Sequence, residues 1–191
     1  MAILHDATLK PTKLEVLEGW APRQTWWPAG APGFELIGRF RFDDPDGEVG
    51  IETFLLRAAD GSVVQVPLTY RGAPLDGGEL VSTMEHSVLG DRWVYDALTD
   101  PVYRAVLADV VATGAHEATQ WIHREDGPPA EVPSSVRAWG VPGPDGAVDV
   151  LRVVDVDAEA PASGALLAQW EGQPTPVLLA AVGARSLARS D

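Results

Sequence analysis

The stretch STMEHSVLGDRWVYDALTDPVYRAVLADVVATG, residues 82–114, predicts a β-hairpin that runs directly into an amphipathic helix. Residues 84–88 alternate between the core-type Met, His and Val and the polar Glu and Ser, a period of two that is typical of a half-buried strand. Leu89-Gly90-Asp91 predicts the turn, and the aromatic and β-branched residues at 92–95 predict the returning strand. The apolar face of the hairpin therefore has to pack against another element.

The helix that follows supplies that cover. Asp100-Pro101 predicts its start, because the carboxylate accepts from an orphan amide and proline fits the first helical position. Gly114 predicts its end, because glycine readily takes the left-handed conformation of a helix C-terminus. Apolar residues recur three or four positions apart and form one face: Val102, Val106, Leu107, Val110 and Val111.

The chain before the hairpin predicts mainly strands. Residues 2–9 predict a first strand and residues 10–20 a short helix, followed by an antiparallel meander over residues 34–70 with turns at Pro45-Asp46-Gly47 and Asp60-Gly61. Pro67 lies inside the third strand of that meander. Because proline donates no ladder hydrogen bond, Pro67 predicts an edge position or a bulge.

The chain after the helix predicts a smaller β-rich part. Residues 116–122 form either a strand or a short helix, and residues 124–133 are the most linker-like segment. Strands at 136–141 and 147–154 flank Pro144-Asp145-Gly146, which predicts a hairpin. Two closing strands follow, at residues 165–170 and 176–182.

We therefore predict an α+β fold: a curved, mainly antiparallel sheet packed against one long helix and a short N-terminal helix, with a small β-rich C-terminal extension. The expected division is an α+β domain at 1–123 and an extension at 134–185 packed on it, joined by the linker.

Composition excludes several classes of protein. The net charge of −14 and the pI of about 4.5 disfavour nucleic acid and anionic membranes as partners. The chain has no cysteine, which excludes disulfides and thiolate sites. It shows neither a signal peptide nor an apolar run long enough to span a membrane, so we expect a cytoplasmic location.

No motif for a metal, cofactor or nucleophile is convincing. His116 and His123 lie seven residues apart, whereas the metalloprotease helix places its histidines four apart. The acidic run at residues 43–48 lacks the spacing of an EF-hand loop and is interpreted as a solvated hairpin tip. We therefore expect no metal and no cofactor. His86, on an apolar strand face, is interpreted as a buried, hydrogen-bonded residue.

Seven tryptophans are many for this length. Indole rings usually pack in cores or interfaces, but their flat faces also stack on sugars. Trp26-Trp27, between Pro22 and Pro28, is the best candidate for an exposed pair.

Two segments resemble the N-terminal cap domain of bacterial maltokinases and the freestanding cap-like proteins related to it, some of which are named as glucan-branching proteins. They are WAPRQTWW at residues 20–27 and EHSVLGDRWVYD at residues 85–96, the second followed by Asp100-Pro101. The resemblance extends over residues 1–114. It implies a cystatin-like cap, which in the kinases precedes an ATP-binding region and a helical catalytic lobe.

The chain departs from the kinases in its catalytic motifs. Phosphoryl transfer requires a cation on the phosphates and ligands for Mg²⁺. Lys10 and Lys13 are the only lysines, and neither a His-Gly-Asp nor an Asp-Phe-Gly triplet nor a Gly-Glu-Gln-Ser-Asn loop occurs. The sequence therefore predicts no kinase activity.

The predicted function is a non-catalytic accessory module in maltose, trehalose or glycogen metabolism, acting by protein–protein contact or sugar binding. Its expected partners are a kinase or glucan-acting enzyme and maltose or maltodextrin. The alternatives are a small carbohydrate-active enzyme using paired carboxylates and a stand-alone carbohydrate-binding module. The candidate binding residues are Arg23, Trp26, Trp27, His86, Arg92 and Trp93.

Overall fold

The computed structural model describes residues 2–5, 8–30, 33–123 and 130–183. Within these residues the chain forms fourteen strands and two α-helices. The strands are β1 (Ala2–His5), β2 (Leu9–Lys10), β3 (Phe34–Phe42), β4 (Gly50–Ala58), β5 (Val63–Arg71), β6 (Leu80–His86), β7 (Gly90–Asp96), β8 (Gln120–His123), β9 (Ala130–Val132), β10 (Val136–Val141), β11 (Val148–Val150), β12 (Val153–Val154), β13 (Ala165–Trp170) and β14 (Gln173–Val182).

Both helices are capped by their own sequence. In α1 (Lys13–Trp20), the Thr12 side chain accepts from the Glu15 amide while Glu15 accepts from the Thr12 amide, a capping box. In α2 (Pro101–Thr113), Asp100 accepts from the Val102 amide, and Gly114 ends the helix with φ at 73°. One 3-10 turn follows α1, at Ala21–Arg23, and a second precedes α2, at Ala97–Thr99.

The largest sheet is antiparallel and curled, in the order β2-β6-β7-β5-β4-β3, with β12 added on β5. The α+β class with a curled antiparallel sheet and few helices is thus confirmed. The β6–β7 hairpin joins the meander through β7, which pairs with β5 over residues 68–71. Its turn lies slightly earlier than predicted, since β7 already begins at Gly90.

This sheet has a hydrophobic core on each face. On one face, Phe54 and Val66 pack with residues of α1 and with Trp27. On the other face, Phe40 and Leu55 pack against α2 and the strands of a second sheet. Strand β4 is buried along almost its whole length because both of its faces are covered.

The second sheet has four antiparallel strands in the order β10-β13-β14-β11. The predicted hairpin around Pro144-Asp145-Gly146 is therefore wrong, because β10 and β11 lie at opposite edges of this sheet and pair with β13 and β14. Local turn signals cannot detect this arrangement, since β13 and β14 enter between the two strands from later in the chain. The closing pair is observed, with β14 beginning at Gln173.

A third, small sheet holds β1, β8 and β9, with β1 parallel to β8. The predicted first strand is divided between two sheets, since β1 joins this one and β2 pairs with β6. Most of the expected linker, residues 124–129, lies outside the described residues, and residues 130–132 form β9. Residues 116–122, predicted as either a strand or a short helix, contain the start of strand β8 and no helix.

Pro67 does not lie in an edge strand, because β5 has β4 on one side and both β7 and β12 on the other. The second side nevertheless has a gap, since β12 pairs with residues 63–64 and β7 with residues 68–71. Pro67 falls between them. The missing N–H is accommodated by interrupted pairing inside the sheet rather than at its border.

Gln65 and Gly140 make two of the contacts that join the large sheet and α2 to the four-stranded sheet. Gln65 is buried, and its side-chain amide donates to the carbonyl oxygens of Leu151 and Leu179. Gly140 of β10 lies so close to α2 that an added Cβ would be 1.8 Å from the carbonyl oxygen of Val110. Only glycine permits this approach of backbone to backbone. In the part of the chain that the structure describes, no helix has the length and apolarity needed to cross a membrane.

Candidate functional site

A cleft of about 520 Å³ lies between α2 and the tip of the β3–β4 hairpin. Its floor is apolar and includes Phe42, Val102, Ala105, Val106, Val110 and Ala118. Because the α2 residues are three or four positions apart, they form one stripe along the helix. From Val102 to Val110 the stripe is about 12 Å long at the α-helical rise.

The rim of this cleft is acidic. Asp43, Asp44 and Asp46 border it from the hairpin tip and Asp109 from α2, with His116 beside them. A second cavity of about 510 Å³ shares Asp43 and His116 with the first and adds Glu117, Trp121 and Glu131. We call the two cavities together the acidic cleft.

Two of these carboxylates fix the local backbone. Asp44 accepts from the amides of Asp46, Glu48 and Val49 at 3.1, 3.0 and 2.9 Å, which holds the hairpin tip in shape. Glu117 accepts from the Ala138 amide at 3.0 Å and so ties the cleft wall to β10. Both side chains are therefore structural.

His116 is oriented by a short-range hydrogen bond. Its Nδ1 lies 2.7 Å from the Glu117 carbonyl oxygen, which can only accept, so Nδ1 carries the proton. The ring lies exposed at the junction of the two cavities. The Nδ1 proton therefore goes to the chain's own backbone, which leaves Nε2 as the acceptor nitrogen of the ring.

The remaining rim carboxylates, Asp43, Asp46, Asp109 and Glu131, are exposed. Together with the apolar floor, they favour ligands that combine positive charge with apolar surface. Within the described ranges, no group of three or more His, Asp or Glu residues is placed to hold a metal ion.

The start of α2, and hence one wall of the cleft, is fixed by a buried ion pair. Asp100 accepts from the Arg71 guanidinium through two bonds of 2.7 Å, from the Thr69 hydroxyl at 2.8 Å and from the Val102 amide at 2.9 Å. Burial alone would raise the pKa of the Asp100 carboxyl, but these donors outweigh it and hold the pKa below 3.8.

A second ionic cluster lies on the α1 face of the large sheet. Glu52 is fully buried and pairs with Lys13, and Arg39 Nη1 lies 3.3 Å from its Oε1. Burial would raise the pKa of Glu52, but the charges of Lys13, Arg41 and Arg39 hold it below 4.5. Burial lowers the pKa of Lys13 despite its carboxylate partner. Lys13 is thus engaged within the protein.

The tryptophan pair is not an exposed platform. Trp27 is 8% exposed and packs on Phe34 at 6.0 Å, so the prediction of exposure is wrong for this residue. Trp26 is half-buried, 5.6 Å from Trp20, and the guanidinium of Arg152 lies 4.6 Å from its ring centroid. The indoles are held by the core and by a cation–π contact.

The other predicted binding residues lie on different elements. Arg23 is exposed in the 3-10 turn after α1. His86 is half-buried rather than buried, and its Nδ1 accepts from the amides of Val88 and Leu89. Arg92 donates to the Leu89 carbonyl oxygen at 2.6 Å, and Trp93 is half-buried on the same hairpin. His86 and Arg92 thus shape the β6–β7 turn.

The acidic cleft contains none of the six predicted residues. One signal for it is present in the sequence, namely the acidic run at residues 43–48, whose local pattern by itself is typical of a solvated hairpin tip. The partner of that tip is the outer face of α2, and no local pattern predicts their contact.

Comparison with known proteins identifies one family. A model of the maltokinase N-terminal cap domain matches residues 20–100, less than half of the chain and a shorter stretch than the resemblance predicted. A search of curated proteins finds no match. The hairpin tip belongs to the matched segment, whereas α2 and residues 115–131 follow it. The resemblance predicted from the sequence is confirmed for residues 20–100, which match the model of the maltokinase N-terminal cap domain.

Proposed function

We propose that this protein is a cap-like accessory module of maltose, trehalose or glycogen metabolism that acts by docking on a catalytic maltokinase-like or glucan-acting enzyme. The observation that carries the proposal is the family match over residues 20–100. The resemblance adds a cystatin-like cap architecture. The proposed division remains a cap-like domain at 1–123 with an extension at 134–185 packed on it through Gln65 and Gly140.

The module has no kinase activity of its own. Lys13, one of two lysines in the sequence, is held by Glu52 and lies against the Tyr70 ring at 5.1 Å. A side chain held in this way is not free to contact nucleotide phosphates, a task that phosphoryl transfer requires of a cation. The sequence also lacks the aspartate triplets that bind Mg²⁺ in the related kinases.

The direct test is to mix the purified protein with a maltokinase and to follow complex formation by size-exclusion chromatography with light scattering. We expect a defined stoichiometric complex and no ATP-dependent phosphorylation of maltose by this protein alone. ATP-dependent maltose phosphorylation by the isolated chain contradicts the proposal. Absence of any complex with maltokinases and glucan-acting enzymes also contradicts it.

A second candidate function is the binding of maltose or maltodextrin at the half-exposed Trp26. Titration with maltodextrin would then change the tryptophan fluorescence, and the change would be lost in Trp26→Ala. Because Trp27 supports the core, Trp27→Ala tests stability rather than binding.

The enzymatic alternative rests on the carboxylates of the cleft. Asp46 and Asp109 border the same cavity, and a glycoside hydrolase needs two carboxyl groups facing the scissile bond. The release of reducing sugar from maltodextrin by the wild type, abolished in Asp109→Asn, would establish this function in place of docking.

A further inference from the structure

The acidic cleft joins two properties that occur together on protein-docking grooves. Its floor is a continuous apolar stripe of α2, and Ala105 at its centre is exposed. Its rim is acidic on both sides, with Asp46 on the hairpin tip and Asp109 on the helix. An amphipathic helix binds such a groove with apolar side chains spaced three or four residues apart, and charges at the rim fix its orientation.

The negative charge of the rim favours a bound segment with positive charge. In the described part of the cleft the ionised side chains are carboxylates, with His116 as the only residue that can become positive. The second cavity extends this acidic surface to Glu117 and Glu131. A basic segment gains favourable contacts along the whole groove, whereas an acidic one is repelled.

We propose that the acidic cleft binds a basic amphipathic helix of the partner enzyme, with its apolar side chains on the α2 stripe and its lysines or arginines on the rim. This inference rests on the proposed docking function and names the surface that performs it. The cleft joins the hairpin tip of the family-matched segment to α2, residues 115–121 and Glu131, which follow that segment. Docking therefore requires more than the matched residues.

The first experiment uses a short leucine–lysine peptide of helical amphipathic spacing and follows the amide resonances of the intact protein by NMR. We expect shifts concentrated on residues 102–110 and 115–118. A leucine–glutamate peptide of the same pattern should not bind. Equal binding of both peptides, or shifts spread over the whole surface, overturns the proposal.

Charge variants separate the cleft from the overall charge of the protein. The triple variant Asp46→Asn/Asp109→Asn/Glu131→Gln removes three exposed rim charges. Because an exposed ion pair contributes little to binding, we expect about tenfold weaker binding of the peptide for the three changes together. The control variant removes the same charge from exposed carboxylates elsewhere: Glu35→Gln/Asp76→Asn/Asp91→Asn. Equal weakening in both triple variants overturns the assignment to the cleft.

The apolar floor is tested on α2 alone. Ala105→Gln places a longer polar side chain in the cleft and should weaken peptide binding severalfold, while Ala112→Gln, on an exposed position of the same helix outside the cleft, should not. The same variants are then assayed in the complex with the maltokinase. If the cleft variants bind the maltokinase as tightly as the wild type does, the cleft inference fails and the docking function stands. If no complex forms while the peptide still binds, the docking function fails and the cleft remains a basic-helix site.

Discussion

Replacement of Asp100 should destabilise the protein more than any other single carboxylate change on α2. The side chain is fully buried and accepts four hydrogen bonds, two from Arg71 and one each from Thr69 and Val102. It caps the helix and compensates the partly buried Arg71 cation at the same time. Asp100→Ala removes both functions.

The expected magnitude follows from these contacts. Loss of the N-cap costs about 1 kcal/mol. Removal of one partner of a buried ion pair costs about 3–5 kcal/mol, and since the Arg71 side chain is 19% exposed, water recovers part of that loss. We therefore expect a decrease of about 3–4 kcal/mol in the free energy of unfolding. Asp100→Asn keeps one capping oxygen but loses the charge and the second acceptor oxygen, which serves Thr69 and the Arg71 Nε, so its cost should be about 1.5–3 kcal/mol.

Urea denaturation of the wild type, both variants and Asp109→Ala measures these differences. Asp109 lies on the same helix, exposed, and its change should stay within about 0.5 kcal/mol. A double-mutant cycle with Arg71→Met isolates the pair and should give a coupling energy of at least about 1 kcal/mol. The reasoning is refuted if Asp100→Ala costs less than about 1 kcal/mol or if the cycle is additive.

The pH dependence provides an independent check of the same pair. The pKa of Asp100 is lower in the folded protein than its ordinary value of 3.8. The unfolded chain therefore takes up the proton first, and the stability that the ionised carboxylate contributes is present above 3.8 and is lost as the pH falls. The stability difference between wild type and Asp100→Asn should be full at pH values near neutrality and shrink in acid. A constant difference across that range contradicts the assignment.

Three further changes test other parts of the structure. Gly140→Ala places a Cβ against the α2 backbone and should cost at least about 2–3 kcal/mol by thermal denaturation, while Gly19→Ala, with open space around it, should be neutral or stabilising. Glu52→Gln leaves Lys13 without its counter-ion and should cost about 2–4 kcal/mol, an effect that fades as acid protonates Glu52 in the wild type below its ordinary value of 4.5. Trp27→Ala should cost about 3–5 kcal/mol in urea denaturation, and a neutral result would show that the indole is not part of the core.

The sequence predicts those features that depend on neighbouring residues. The start signal Asp100-Pro101 and the stop signal Gly114 coincide with the bounds of α2, because capping is decided within one turn of the helix. The strands of the meander follow from alternation for the same reason. The pairing of β10 with β13 and the interrupted pairing around Pro67 depend on residues distant in the chain, which no local pattern contains.

The site is predicted less well than the fold. The high tryptophan content favours Trp26 and Trp27 as binding residues, but these indoles contribute mainly to packing around α1. The acidic run at 43–48 is visible in the sequence, yet its meaning depends on the helix face opposite it. A cleft is a property of two surfaces, and each surface by itself looks like ordinary solvated protein.

The side-chain amide of Gln65 has a consequence for how the protein can be divided. It reaches from the middle of the large sheet to carbonyl oxygens of Leu151 and Leu179, beyond the segment that the cap family covers. In a fragment trimmed to residues 20–100, the Gln65 amide would lose both of its acceptors. Apolar side chains on the same face, such as Phe40 and Leu55, would be exposed, because α2 and the later strands normally cover them. Such an excised cap should aggregate on expression, so recombinant work on this protein needs its later strands as well.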